Sequence, residues 1–575
     1  MAQKPMSVKQ AHDFLTKPGG IFELETVITN GVQCKSFKGA FKTLRDMWES
    51  TRKFADREYL VYEDERLTYA EAHAEVARIA NVLVNQLSVK KGDRVGIIMR
   101  NYPEWLLCFW AVHSIGGVTS LINSWLTGPE EEYCLEDSAC VIALVDEERA
   151  TVLEPHLSSL KLKGLKSVVV CRGNPRNGMA HLPTLLASVP KIVSAPYVDI
   201  GPEDEAIIMY SSGTSGKPKG CLSVQKAIGA NQINYILPAM RNLLRQGLPL
   251  PSGPAAAKSV LVSSPLFHLQ GISPVVGQTI NGNRLVLLFK WDPTKALQLI
   301  EKERINRCSC VPAVMWQQHP DFDKYDLSSW ENATVGGAAV PGDLVRAMAQ
   351  KLPRAPVATG YGQSEITGTL SSNVGYDYER KPTSVGLPSP TTEVRIVDPD
   401  TLKDVAEGQV GEIWCKCAHA MKEYLNRPDA TAETIQPGNW VRTGDLGYVD
   451  DEGFVFIVDR IKDVVNRGGE KAFSTEIEGR LYEHPSVIDA AVFPMPHPTL
   501  GEEVIASVQV NPNKAAVTQQ ELKDWTKQTL AYFKVPVYID IGTEPLIRNA
   551  NGKILKKDIA PGVIAKAKAA LGAKL

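Results

Sequence analysis

Tyr210-Ser-Ser-Gly-Thr-Ser-Gly-Lys-Pro-Lys-Gly220 comes directly after the apolar run 206–209. Its composition suits a loop that holds a polyphosphate such as that of ATP. Gly213, Gly216 and Gly220 let the backbone turn tightly and bring its N–H groups to phosphate oxygens. Ser211, Ser212, Thr214 and Ser215 add hydroxyl donors, and Lys217 and Lys219 add positive charge. The stretch departs from the usual phosphate loop, in which four residues separate the glycines and a Ser or Thr after the Lys opens a helix. Here only Thr214 and Ser215 separate Gly213 from Gly216, and Pro218 comes after Lys217. Taken alone, a flexible Gly/Ser linker has a similar composition.

On either side the chain alternates strand and helix. Thr68 with Glu71 reads as a capping box opening a helix whose Val76, Ile79, Ala80 and Leu83 share one face, and 95–99 reads as a buried strand. A helix over 103–113, a strand over 118–122, a helix after Thr127-Gly-Pro129 and a strand over 141–145 continue the alternation of a parallel, doubly wound sheet. Downstream, strands over 260–263 and 285–289, a helix capped by Asp292 and Pro293 and running to Ile305, and a helix from Pro341 to Leu352 extend it. From about Gly386 the spacing shortens to strands and turns. Beyond Arg460 the chain is highly charged, with strands expected over 487–493 and 503–510 and helices over 474–483 and 519–531. The expected fold is α/β: a large N-terminal domain of doubly wound, mixed or parallel sheets (1–461) and a small α+β C-terminal domain (462–575).

Composition narrows the function. At 575 residues, with 44% hydrophobic and 22% charged, the chain has the make-up of a globular protein of more than one domain. Its formal net charge of −2, from 63 basic and 65 acidic residues, supplies no global field for nucleic acid or anionic membrane, so phosphate recognition has to be local and the partners small molecules. The N-terminus is polar and no stretch approaches the length of a membrane span, so neither secretion nor an integral membrane location is expected. The ten cysteines are scattered. The pairs Cys308/Cys310 and Cys415/Cys417 fall at strand spacing, on one face of each strand, and read as structural thiols in a reducing compartment rather than as a zinc site. The chain ends Ala573-Lys574-Leu575, similar to the Ser-Lys-Leu signal read by the peroxisomal import receptor, which gives a peroxisomal matrix location as the expectation and the cytoplasm as the alternative. The same residues otherwise read as the end of an Ala/Lys-rich helix, 564–574.

Four further motifs lie downstream of the loop: Gly360-Tyr-Gly-Gln-Ser-Glu365, Trp440-Val-Arg-Thr-Gly-Asp445, Asp459-Arg-Ile-Lys-Asp463 and Asn549-Ala-Asn-Gly-Lys553. In order and approximate spacing they resemble the adenylate-forming superfamily, which includes acyl-CoA synthetases, luciferases and the adenylation domains of peptide synthetases. The resemblance covers nearly the whole chain from about Phe41.

That resemblance implies a role for each motif. By it, the 211–220 loop holds the β- and γ-phosphates of ATP, with Thr214 near the metal and Lys217 or Lys219 reaching the leaving group. Glu365 coordinates Mg²⁺, a hard cation suited to carboxylate and phosphate oxygens. Ser364 stands where the family commonly has Thr, which keeps the hydroxyl. Tyr361, next to Gly362, lies against the adenine, with the Gly336-Gly337-Ala338 backbone opposite. Asp445 accepts from the ribose hydroxyls, as an acceptor-only group can, and Arg460 adds a ribose or phosphate contact. Without the family, Asp445 would read as a turn residue and Lys553, with Lys556 and Lys557 close behind, as part of a wet surface. The family makes Lys553 the lysine that reaches the α-phosphate and substrate carboxylate.

For the second half-reaction the resemblance implies that the small domain rotates about a hinge at Lys462. Gly469 then permits close approach of the pantetheine, Lys471 meets a CoA phosphate, and His268 gates the passage from the acyl pocket. The pocket walls come from Asn231, Tyr235 and Met240, from Phe267 and Gly271, and from residues 336–338. No Asp stands after the gate motif to hold an amino group, so an uncharged tail is expected: a medium-chain fatty acid or an aryl acid. The expected reaction is acid + ATP + CoA to acyl-CoA + AMP + PPi through an acyl-adenylate. The alternatives are an adenylating enzyme that passes its product to a carrier protein or to oxygen, and an inactive acyl- or nucleotide-binding homologue.

Overall fold

The computed structural model describes residues 4–211, 217–253, 256–310, 319, 321–336, 350, 356–549 and 552–572. The chain forms two compact units; of the described residues, the larger takes 4–336, 350–394 and 415–442 and the smaller 395–414 and 443–572. The expected Pro341–Leu352 helix and the tripeptide Ala573-Lys574-Leu575 lie outside the described residues, apart from Gln350.

The larger unit contains an eight-stranded and a nine-stranded sheet. In the eight-stranded sheet Glu205–Ser211, Val118–Leu121, Arg94–Ile98, Ile142–Asp146 and Ser167–Arg172 run parallel. Such strands are covered on both faces, which is why they read as continuous apolar runs. Lys219–Val224 then closes one side antiparallel to Glu205–Ser211. The nine-stranded sheet is parallel from Glu58–Tyr62 through Arg284–Leu287, Ser259–Val262, Arg307–Cys310 and Asn332–Gly336 to Val357–Gln363. Gly368–Val374 turns back antiparallel beside that last strand. The capping box at Thr68 forms as read, with Glu71 N donating to Thr68 Oγ1 at 3.2 Å and Thr68 N to Glu71 Oε2 at 2.8 Å. Asp292 caps Pro293–Lys302, which ends before Ile305 where Arg304 takes a left-handed φ of 50°.

In the smaller unit Val487–His497 and Gly501–Val510 form a long antiparallel ladder, and Tyr538–Gly542 joins parallel to the latter. The helix expected over 519–531 stops at Lys527; Tyr532–Lys534 is a separate 3₁₀ turn. The C-terminal helix is longer than expected, Lys556–Leu571, and it is packed: Val563 and Ala567 are buried against Phe493 and Ile505. Cys415 and Cys417 are buried in Gly411–Cys417, and no His/Cys/Asp/Glu cluster able to hold a metal occurs among the described residues. No helix among them is long and apolar enough to cross a membrane.

Candidate active site

The phosphate-loop stretch joins the two strands of a β-hairpin. Tyr210 pairs with Gly220 and Ser211 with Lys219, and Ser211 Oγ donates to Lys219 O at 3.3 Å. The strand therefore returns on itself where the usual phosphate loop would open a helix. Ser212, Gly213, Thr214, Ser215 and Gly216 lie outside the described residues. Each lysine of the stem sits over an aromatic ring, Lys217 Nζ 4.5 Å from the centre of Tyr133 and Lys219 Nζ 5.0 Å from that of Tyr424. A ring face attracts a cation without neutralising it, so both charges remain available to an anion. Tyr133 also donates to Pro218 O at 3.2 Å and accepts from Arg427 at 2.9 Å.

Tyr424 ties this hairpin to Glu365, since its hydroxyl donates to Glu365 Oε1 at 2.6 Å and its strand pairs with Lys219–Val224. Burial, with Glu365 second, pushes the Tyr424 hydroxyl well above the ordinary phenol range, so it stays a donor. Met421 N donates to Glu365 O at 2.8 Å. Ser364, Glu365 and Ile366 form a 3₁₀ turn ended by Thr367 in a left-handed conformation (φ 52°), with Thr367 Oγ1 and Ser223 Oγ 2.5 Å apart. Tyr361 stands at a bulge in Val357–Gln363, and Gly336 pairs with Gly360; Gly337 and Ala338 are outside the described residues. A Cβ at Gly362 would sit 2.0 Å from Gly368 O, so this glycine is required for the strands to close.

The long helix Gln225–Arg245 carries Asn231, Tyr235 and Met240. Asn231 is buried and committed, donating to Ser273 Oγ at 2.9 Å and accepting from Thr369 N at 3.0 Å. Tyr235 is half-buried, while Met240 packs with Phe22, Phe37, Leu237 and Leu244. Phe267 is buried with its ring 4.7 Å from that of His268, the N-cap of helix Leu269–Ile280. Burial pulls His268 down to about 4, so its imidazole is neutral at pH 7. At Gly271 a Cβ would meet Pro265 O at 2.0 Å.

In the smaller unit Asp445 and Arg460 are partners on adjacent strands, with Arg460 Nε 3.0 Å from Asp445 Oδ1. Thr443 Oγ1 accepts from Asp445 N at 3.1 Å. Lys462 comes next on the 3₁₀ turn Ile461–Asp463. The backbone of Lys553 is held by Asn549: Asn549 N donates to Lys553 O and Lys553 N to Asn549 Oδ1, both at 2.9 Å. Burial, then the charges of Arg460 and Lys462, bring Lys553 down to about 8, with Asp445 and Asp463 opposing. Burial lowers Lys462 as well. The fold thus brings together Asp445, Arg460, Lys462 and Lys553. Gly469 and Lys471 belong to the hairpin Val465–Arg467/Glu470–Ala472; Gly468 and Gly469 both have positive φ, as its two-residue turn requires, and Lys471 is exposed.

Sequence reasoning missed Tyr133 and Tyr424, which seat the lysines, and the relay behind Glu365, in which Asn234 Nδ2 lies 3.1 Å from His419 Nε2 and His419 Nδ1 donates to Ile366 O at 2.6 Å. None stands in a motif.

Comparison with known proteins gives the family to which this geometry belongs. The model of the AMP-binding enzymes matches residues 47–425, and that of the AMP-binding enzyme C-terminal domain matches 476–553. The chain belongs to the AMP-binding enzyme family, within the adenylate-forming superfamily. It is an enzyme of the AMP-forming acid–thiol ligase class, whose members here are acyl-CoA synthetases and aryl-CoA ligases. It is 31% identical over 496 residues to long-chain-fatty-acid–CoA ligase FadD13 of Mycobacterium tuberculosis, covering 86% of this chain and 92% of that one. It is 30% identical over 521 residues to 4-coumarate–CoA ligase 1 of Solanum tuberosum, covering 89% and 92%. The fold matches the anthranilate CoA ligase AuaEII, solved with anthranoyl-AMP, with a TM-score of 0.81 at 24% identity over 92% of this chain and 98% of that one.

Proposed function

We propose that this enzyme joins a medium-chain fatty acid or an aryl acid to CoA in an ATP-dependent reaction, through an acyl-adenylate. The observation that carries the reading is the cluster Asp445, Arg460 and Lys553, a ribose acceptor held beside a half-buried cation whose charge is only partly offset. Adenylation brings the substrate carboxylate up to the α-phosphorus and expels pyrophosphate, so the site must neutralise growing negative charge. Lys217 and Lys219 stabilise the leaving pyrophosphate, Asp445 holds the ribose, and Lys553 stabilises the α-phosphate as the carboxylate attacks. Glu365 fits Mg²⁺, being an oxygen donor held in place by Tyr424. Bound there, the ion would offset phosphate charge.

CoA attack is a different task, since the thiol has to reach the adenylate carbonyl. Rotation about Lys462 would exchange Lys553 for the Gly469/Lys471 hairpin, leaving neutral His268 as the gate. Chain-length preference arises from apolar burial, about 0.8 kcal/mol for each methylene until the pocket is full. A panel of acids with pyrophosphate release and thioester formation measured in parallel tests the reading. Best turnover of acetate, or pyrophosphate release with no CoA-dependent thioester on any acid, would overturn it.

A further inference from the structure

The helix Ser474–Tyr482 begins without a cap of its own, since Phe473 stands at the N-cap position and offers no hydrogen-bonding side chain. The first N–H groups of a helix have no intrahelical partner, and the residue just before the helix ordinarily supplies the acceptor. Here the acceptor is Asp459, 15 residues back on the strand Val455–Arg460, with Lys462 between the two in the chain. Asp459 Oδ1 accepts from Ser474 Oγ at 3.0 Å and from Thr475 Oγ1 at 3.1 Å. Its Oδ2 accepts from Thr475 N at 3.4 Å and from Ser474 N. A fifth bond, from Arg460 N to Oδ1 at 2.8 Å, comes from its own strand and fixes the direction of the carboxylate. Asp459 is 3% exposed and Ser474 is fully buried. From Ser474 the connection continues to Lys556, which opens the helix following Lys553. Lys556 Nζ donates to Ser474 Oγ at 2.9 Å and pairs with Glu478 Oε1 at 2.7 Å.

We infer that, with the hinge at Lys462 as proposed above, Asp459 is a positioning residue: its carboxylate clasps the first turn of Ser474–Tyr482 across the hinge and holds the segment bearing Lys553 in the adenylating orientation. A Ser, Thr or Asp at position 473 would cap the helix equally well without tying it to the strand before Lys462. Rotation at Lys462 separates Asp459 from Ser474 and Thr475, so the clasp opens before CoA attack. On opening, the carboxylate and the freed donors meet water, which replaces the lost bonds and keeps the step reversible.

The test removes the donors and leaves Asp459 in place. Ser474→Pro takes away the N–H and the hydroxyl at the first position of the helix, where proline suits the backbone, and Thr475→Val takes away the second hydroxyl. Spin labels at Asp451→Cys and Lys514→Cys, two exposed positions on opposite sides of Lys462 in the chain, report the distance between the segments by double electron–electron resonance. A second distance population is expected in the labelled full chain when Ser474→Pro and Thr475→Val are added. In the unlabelled variant, with the acid of highest turnover in the panel and its adenylate, the two half-reactions are measured separately. The ratio of adenylate formation to thioester formation from supplied adenylate should fall about 10- to 100-fold, the effect of losing charge-assisted hydrogen bonds on an orientation equilibrium. A cap with a structural role alone would leave that ratio unmoved. An unchanged distance distribution overturns the clasp. A second population with an unchanged ratio keeps the clasp and sets aside rotation at Lys462 as what separates the half-reactions. Should the double variant not fold, Asp459→Asn decides. It keeps the shape and removes the charge, so the same second population is expected, and an unchanged distribution in it overturns the clasp.

Discussion

Asp445 and Arg460 face each other across two adjacent antiparallel strands, with Arg460 Nε 3.0 Å from Asp445 Oδ1. The carboxylate is buried and the guanidinium partly exposed, so the arginine orients an acceptor in the fold. Asp445→Asn should raise KM for ATP about 10- to 100-fold, the loss of a charged hydrogen-bond acceptor, with smaller losses in Arg460→Gln. Initial rates of pyrophosphate release against ATP concentration check this; an unchanged KM in Asp445→Asn would remove the ribose role.

Lys553 should separate the two half-reactions. Lys553→Ala should lose adenylate formation by at least about 100-fold while retaining most thioester formation from supplied acyl-adenylate, since its charge is needed while pyrophosphate leaves. Equal losses would contradict the role. The charged form is the active one, so kcat/KM for adenylation should fall as pH rises through about 8. Stability should move the other way. The unfolded chain keeps the proton that the folded one has lost, so this group makes folding more favourable as pH rises from about 8 towards about 10.4. A pH–rate profile and denaturation midpoints across that range measure the two trends.

Lys462→Pro should leave adenylation largely intact and block CoA-dependent turnover, because a fixed φ at the 3₁₀ turn Ile461–Asp463 opposes rotation there. Normal overall turnover in that variant would place the hinge elsewhere.

Tyr424→Phe deletes the hydroxyl that donates to Glu365 Oε1 at 2.6 Å. Loss of a hydrogen bond to a charged group should cost about 1.5–3 kcal/mol in positioning the carboxylate, read as a shifted Mg²⁺ dependence of pyrophosphate release. An unaltered Mg²⁺ titration would leave Tyr424 as packing for Lys219 alone.

Gly271→Ala tests the packing behind the gate. With Pro265 O 2.0 Å from the added Cβ, the first turn of helix Leu269–Ile280 must shift. A destabilisation of about 1–3 kcal/mol by urea unfolding is expected, together with a raised KM for the acid. No change in either would mean that the helix end yields without strain.

The features legible in the chain alone are local ones. Strand–helix alternation, the cap at Thr68 and the apolar runs of the parallel sheet depend on neighbours in the chain, and they placed the doubly wound sheets and the small α+β unit. The motifs marked Glu365, Asp445 and Lys553 because their spacing is itself a chain property. The surroundings of those groups came from folding in three dimensions. Tyr424 reaches Glu365 from 59 residues away, and Arg241 lies beside His12 from 229 residues away. No periodicity or propensity records such pairings. They depend on which strands become neighbours in the sheets and how the helices close over them, and burial there sets the charge state of Lys553, His268 and Arg241.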